Sequence, residues 1–158
     1  MPKNILSYIA GFLDGDGCIM LQLVYRADYK LGYQIRSSIV FYQKSKHKKY
    51  LGWLKRIFKC GYIRDRKDNI SEYTIVGHDD VIKILKMLQP YLRLKKRQAS
   101  LAVKIIEKVQ KIDLLTPKLL LSFSKSIDKF AMLNYSKKRT NNSKKVEYFL
   151  RSKNFLSL

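Results

Sequence analysis

A chain of 158 residues, 46% of them hydrophobic, is long enough for one packed core that buries about 70% of its unfolded surface, which excludes a disordered polypeptide. Its charge is the outlier: 33 Lys and Arg against 12 Asp and Glu give +21, a self-repulsion that nucleic acid, the commonest polyanion, relieves. No run of about 18 apolar residues and no signal peptide is present, and no basic amphipathic stretch stands apart from the rest, so a membrane partner is not expected.

The first periodic element is a helix over about Asn4 to Asp14, with Asn4 or Ser7 as N-cap and Leu6, Ile9, Ala10 and Leu13 on one apolar face. Gly11 and Gly15, four apart, leave a bare groove where another backbone can approach. Asp14 and Asp16 follow, interleaved with Gly15 and Gly17. Carboxylates at a helix C-terminus face the negative pole of the dipole, at a cost of about 0.3–1 kcal/mol each. In so basic a chain, acids placed there point to a cation or a proton to be handled.

After Gly17 the period changes to two. In Cys18 to Arg26, Ile19, Leu21, Leu23 and Tyr25 read as core-facing, and Met20, Gln22, Val24 and Arg26 as the exposed face of an antiparallel strand. Residues 27–32 form a turn. Tyr33 to Gln43 is a second strand, with Ile35, Ile39 and Phe41 inward and Gln34, Arg36, Ser38, Val40 and Tyr42 outward. Ser45 to Lys59 reads as a basic amphipathic helix with Tyr50, Leu51, Leu54, Ile57 and Phe58 as its buried stripe, and Trp53 beside it is expected to pack rather than stack on a base. A hairpin over Gly61 to Val76 turns near Lys67-Asp68-Asn69. Tyr62, Arg64 and Arg66 share one of its faces with Glu72 and Thr74; Ile63, Tyr73 and Ile75 take the other.

Gly77 and His78-Asp79-Asp80 open a third helix, with Val81, Ile84, Leu85 and Leu88 as its stripe and Pro90 at its end. A basic loop over Arg93 to Arg97 leads into a further amphipathic helix carrying Ala99, Leu101, Ala102, Ile105 and Ile106. Thr116-Pro117, an N-cap followed by a first-turn proline, starts a helix to about Asn134. The tail from Lys137 is Lys/Asn/Ser-rich with one apolar cluster, Val146, Phe149 and Leu150, and reads as a short surface helix or a basic arm. Cys18 and Cys60 lie in apolar or strand-like runs and read as small buried hydrophobes; with His47 and His78 they make no zinc spacing.

The order helix, hairpin, helix, hairpin, helices (αββαββα) predicts an α+β fold: a four-stranded antiparallel sheet covered by helices on one face and open, polar and basic on the other. Such a face suits a nucleic-acid groove. Two carboxylates at a glycine turn beside it suit Mg²⁺, which takes oxygen donors and shares its shell with phosphates. The chemistry so suggested is metal-assisted phosphodiester hydrolysis. Asp14 reads as a helix-terminal hydrogen-bond acceptor, and Asp16, with the Gly15 backbone beside it, as the metal ligand.

Ile9-Ala10-Gly11-Phe12-Leu13-Asp14-Gly15-Asp16-Gly17 resembles the nine-residue motif of the LAGLIDADG homing endonucleases. Tyr62-Ile63-Arg64-Asp65-Arg66, residues 88–95 and Gln98-Ala99 resemble the single-motif, homodimeric branch encoded in algal chloroplast introns, so that the likeness spans about residues 5–136. It implies a site-specific double-strand DNA endonuclease acting on a long pseudo-palindromic target, with a saddle-shaped sheet in a homodimer. The motif occurs once, so two chains, bearing 2 × 21 = +42 charges, complete one site.

By the same resemblance Ala10, Gly11, Leu13, Asp14 and Gly15 fall at the dimer interface, Gly15 and Asp16 at the metal, and Gln43 and Lys95 around the scissile phosphates. His47 takes a further basic position where relatives carry Arg. The DNA-reading set is Gln22, Val24, Arg26, Tyr29, Gln34, Arg36, Ser38, Val40, Arg64, Arg66, Glu72 and Thr74. Asn134, Lys137, Lys138 and Arg139 fall at phosphates. The cofactor implied is Mg²⁺, with Mn²⁺ able to substitute, and no small-molecule substrate is expected. Residues 1–136 are expected to form the endonuclease core and 137–158 a basic tail of the same domain. With no transit peptide ahead of the first helix, synthesis inside an organelle, above all the chloroplast, is expected. The alternative is an intron-RNA maturase, or a catalytically silent binder, of the same fold.

Overall fold

The change of period at Gly17 is the first junction of the fold. In the computed structural model α1 (Lys3–Asp16) runs directly into β1 (Gly17–Tyr25) with no loop between them. A Cβ on Gly17 would lie 2.8 Å from the carbonyl oxygen and 2.9 Å from the Cα of Leu13, so only glycine lets the strand leave the helix this closely. The helix is longer than the sequence suggests at both ends. It starts from Pro2 with no side-chain cap, so neither Asn4 nor Ser7 is the N-cap. The structure describes residues 1–134 and 138–157.

The remaining elements are β2 (Tyr33–Lys44), α2 (Lys49–Phe58), β3 (Tyr62–Asp65), β4 (Ile70–Val76), α3 (His78–Leu88), α4 (Lys96–Gln110), α5 (Pro117–Ala131) and α6 (Ser143–Ser152). The four strands form one antiparallel sheet in the order β1-β2-β4-β3. Ile19, Leu21, Leu23, Ile35, Ile39, Phe41, Tyr73 and Ile75 point to one face and are buried beneath α1, α3, α4 and α5. Phe41 stacks on Tyr73 and meets Phe12 edge-on, which seats α1 on the middle of the sheet. Among the described residues no helix covers the other face. This is the α+β architecture that the alternation of periods predicts.

Some expectations need correction. The stretch from Ser45 is not one helix: Ser45–His47 is a separate 3₁₀ turn. It is tied to the second hairpin, since Ser45 N–H donates to the Asn69 carbonyl at 2.8 Å and the Ser71 hydroxyl lies 2.9 Å from that of Ser45. With the start of α2 displaced, Tyr50 is exposed, and Leu51 and Leu54 carry the burial. Tyr25 is also exposed, its ring edge-on to Tyr33 and Phe149 at the end of the sheet. On α4 it is Val103 rather than Leu101 that is buried. α5 starts as expected, with Thr116 Oγ1 accepting from Leu119 N–H at 3.2 Å, but ends at Ala131.

Of the two readings of the tail, the helix is correct. α6 packs on α5 through Val146 and Leu150, both fully buried, and is capped by Asn142, whose Oδ1 accepts from Lys145 N–H at 3.0 Å. Phe149 reaches across to the β1–β2 turn and covers Gly32, which has φ +72°. A Cβ at Gly32 would strike the Phe149 ring. Gly32→Ala therefore meets both a left-handed backbone and a filled space, and is expected to cost about 1–3 kcal/mol, read as a lowered Tm.

Candidate active site

The end of α1 uses its two carboxylates in opposite ways. Asp14 is buried, and its oxygens accept three backbone N–H groups from the loop between α3 and α4: Arg93 at 2.7 Å, Leu94 at 3.2 Å and Lys95 at 2.9 Å. The Lys95 ammonium donates in turn to the Asp14 carbonyl, one of the orphan acceptors that a helix C-terminus leaves. A cation at this pole is favourable. Lys95 also lies close enough to Cys18 to oppose the rise in thiol pKa that burial causes. Asp14 is thus a structural clasp, as its helix-terminal position suggests.

Asp16, two residues on, is exposed and makes no hydrogen bond or ion pair among the described residues. Seven of the chain's twelve acids are ion-paired among the described residues. Asp28 pairs with Arg26, Asp65 with Lys48, Asp68 with Arg66, Glu72 with Arg64, Glu107 with Lys86, Asp128 with Arg139 and Glu147 with Arg151. Asp16 instead keeps its charge free at the wrong end of a helix dipole, which costs stability unless a cation arrives.

It lines a cleft with Ser7, Tyr8, Gly11, Phe12, Gln43, His47 and Tyr50. Gln43 is held with its Oε1 accepting from Lys44 N–H at 3.0 Å, which leaves its amide NH₂ available. His47 is carried by the 3₁₀ turn, pinned on its far side by the Lys48–Asp65 ion pair at 2.6 Å. The structure therefore brings Asp16, Gln43 and His47 into one cleft. Lys95 borders a neighbouring one, with Gly15, Gly17, Cys18 and Gln22. No three His, Cys, Asp or Glu side chains cluster among the described residues. One free carboxylate fits the oxygen-donor preference of Mg²⁺ but fills a small part of its shell.

Ala10 and Leu13, expected at a dimer interface, are fully buried in the chain's own core, and Asp14 is engaged by its own loop. They lie on the inner side of α1. The outer side presents Ser7, Gly11 and Gly15 at intervals of four, with Tyr8 and Asp16 alongside, and a Cβ on Gly11 or Gly15 would meet nothing within 4 Å. Tyr8 is 60% exposed and Tyr50 45% exposed, and Tyr8 meets Trp53 edge-on, so an aromatic patch continues the glycine seam. Sequence reasoning missed Ser7, Tyr8 and Tyr50; the i, i+4 spacing of Ser7, Gly11 and Gly15 carried the signal.

On the open face the cross-strand register sets the expected readers side by side. Gln22 pairs with Arg36, Val24 with Gln34, Val40 with Thr74 and Arg64 with Glu72. Gln22 and Arg64 are exposed, and Val24, Gln34 and Arg36 half-buried. Ser38, Val40, Glu72 and Thr74, expected to be exposed, lie recessed as the floor of the groove, since they sit on the two central strands, flanked by side chains on both sides. Glu72 holds Arg64 at 2.6 Å, and burial pushes the adjacent Tyr42 hydroxyl pKa up. Arg66 lies beyond the end of β3 and pairs with Asp68. Arg26 and Tyr29 belong to the hairpin tip, where the guanidinium pairs with Asp28 and covers the Tyr29 ring.

Asn134 reaches the Ile19 carbonyl at 3.5 Å on the outer edge of β1, and Asn141 the Leu23 carbonyl at 2.9 Å. Lys138 borders the same edge, and Arg139 is paired with Asp128 at 2.5 Å. Lys137 lies outside the described residues.

Residues 9–106 match the family model described as LAGLIDADG endonuclease. The chain belongs to the LAGLIDADG endonuclease family. It is 39% identical to the DNA endonuclease I-CvuI of Chlorella vulgaris over 134 residues, 85% of this chain and 82% of that protein. It is 35% identical to the DNA endonuclease I-CreI of Chlamydomonas reinhardtii over 150 residues, 95% of this chain and 91% of that protein. A crystal structure of I-CvuI in complex with its target, in the presence of Ca, superposes with a TM-score of 0.90, covering 98% of this chain and 97% of that one at 35% identity. The family motif is thus the α1–β1 junction described above.

The two carboxylates of the motif are expected to separate in a stability measurement. Asp14→Ala removes the charged acceptor of three loop N–H groups and costs about 2–4 kcal/mol. Asp16→Ala relieves an unfavourable dipole contact and leaves the chain unchanged or up to about 1 kcal/mol more stable. Urea unfolding of the two variants reads the difference.

Proposed function

We propose that this protein is a site-specific homing endonuclease that hydrolyses both strands of a long pseudo-palindromic DNA target as a homodimer, with Mg²⁺ as cofactor and Mn²⁺ able to replace it. The observation that carries the reading is Asp16: a carboxylate at the negative end of α1 with no partner among the described residues, in one cleft with Gln43 and His47. Membership of the family and the likeness to two algal DNA endonucleases support it. The green-algal origin of those relatives favours a chloroplast setting.

Asp16 and the Gly15 carbonyl are the groups of this chain that would hold the ion. When bound, it supplies a water of lowered pKa and charge neutralisation at the phosphate. The chain's own side chains do the rest. The Gln43 amide orients a water or phosphate oxygen in the cleft. His47 stands at its rim, where it donates to phosphate. The Lys95 ammonium, fixed on the Asp14 carbonyl, places positive charge where negative charge develops. A second copy, seated along Gly11 and Gly15 with the aromatic patch at its side, brings a second Asp16 to the same centre.

On the groove, Arg64 offers the guanidinium fork that suits guanine, the commonest specific contact. Gln22, Val24, Gln34 and Arg36 read bases on the same face, with Ser38, Val40, Glu72 and Thr74 beneath. Arg26, Tyr29 and Arg66 serve from the hairpin ends, and Asn134, Lys137, Lys138 and Arg139 contribute phosphate contacts and hence salt dependence.

With DNA spanning the insertion site, wild type cuts in Mg²⁺ and binds without cutting in Ca²⁺. Asp16→Asn is expected to keep binding and lose cleavage by about 10³-fold or more, as removal of a metal-binding carboxylate should. A wild-type protein that binds but never cuts in Mg²⁺ contradicts the reading. Gly11→Leu has open space in the single chain, so it should still fold cooperatively, with the Tm of an isolated subunit, yet migrate as a monomer and fail to cut.

A further inference from the structure

The groove floor is not uniformly polar. Its cross-strand rows run, in order, Tyr42–Glu72–Arg64, then Cys18–Val40–Thr74–Tyr62, then Met20–Ser38–Val76, then Gln22–Arg36. The outer rows present guanidinium groups. Between them lies a band without a single charged side chain. Val40, 2% exposed, and Thr74, 5% exposed, form its floor on the central strands. Met20 on β1 and the Tyr62 ring on β3, which is 43% exposed, form opposite walls on the edge strands. All four line one concavity of about 290 Å³, bounded by Arg64 and Glu72 at one end and by Arg36 at the other.

A base edge set over this band meets the Met20 thioether and the Tyr62 ring, with Val40 and the Ser38 and Thr74 hydroxyls recessed in the floor, and no charge. Of the groups that base pairs present in the major groove, the thymine C5-methyl alone is apolar. We infer that Met20, Val40, Thr74 and Tyr62 form a thymine-methyl subsite in each half of the target, lying between positions read by Arg64 and by Arg36. The inference rests on the endonuclease reading above and deepens it by naming the base. Same-face residues on a strand are about 6.7 Å apart, so one row corresponds to roughly two base pairs of 3.4 Å rise. A subsite spanning the second and third rows accordingly lies about three base pairs from the Arg64 contact and about three from the Arg36 contact on the other side.

The test starts from duplexes that the wild-type protein cuts when offered a randomised library. In a recovered site each thymine is replaced in turn by deoxyuridine, which removes the methyl and keeps every hydrogen bond. Binding is measured in Ca²⁺. One thymine per half-site is expected to lose roughly three- to fivefold in affinity on replacement, the effect of one buried methyl, and roughly tenfold or more when both halves are changed. Met20→Ala, at a half-exposed position that leaves the core intact, should bind the thymine and uracil duplexes alike, as should Val40→Ser. A site that is cut specifically yet shows no deoxyuridine-sensitive position, or the same sensitivity in Met20→Ala, overturns the subsite and leaves the endonuclease reading standing. If no fixed site is cut, the reading beneath it falls first.

Discussion

The fold hangs on one carboxylate. Asp14 takes three backbone N–H groups from the loop between α3 and α4, and through them α1 is fastened to the helical layer at the point where it becomes β1. The clasp also fixes Lys95, whose ammonium closes onto the Asp14 carbonyl. Everything placed by the end of α1 follows from it: the start of the sheet, the position of Lys95 and the outward aim of Asp16. A buried carboxylate with three donors is strong because hydrogen bonds to a charged acceptor are about twice as strong as neutral ones.

With Asp14 engaged inward, Asp16 has no hydrogen-bond or ion-pair partner among the described residues. It is separated from Asp14 by one glycine and lies across the helix from it, so one acid is spent on the fold and the other remains for chemistry. The same division runs down α1. Ile9, Ala10 and Leu13 serve the core, whereas Ser7, Gly11 and Gly15 leave a surface with nothing against it. On the sheet, one face is core and the other a groove whose floor is recessed and whose rims carry the exposed polar and basic groups. A surplus of 21 positive charges is tolerable in such a protein because the partner expected on that face is a polyanion.

Much of this was legible before any coordinates. The switch from period 3.6 to period 2 at Gly17, the alternation along β1 and β2, and the Thr116-Pro117 start of α5 each determined an element, because each is a local signal. Tertiary contacts were not legible. Nothing near Asp14 in sequence announces that Arg93, Leu94 and Lys95 will meet it, and nothing near Ser45 announces the bonds to Asn69 and Ser71 that break off a 3₁₀ turn. The recess of Val40 and Thr74 likewise depends on sheet order, which puts β2 and β4 in the middle. Ala10 and Leu13 were placed at the seam by the motif as a whole; the helix has two sides, and they belong to the inner one. Ser37 is a further case: it faces the core and bonds His78 at 2.8 Å, a pairing across 41 residues, and burial lowers the His78 pKa.

At the centre stands the claim that one chain holds half an active site. Sedimentation of the free protein at micromolar concentration tests it most directly. A particle of 2 × 18.6 = 37.2 kDa is the predicted result. An 18.6 kDa monomer that nonetheless cuts both strands at a single site would contradict it.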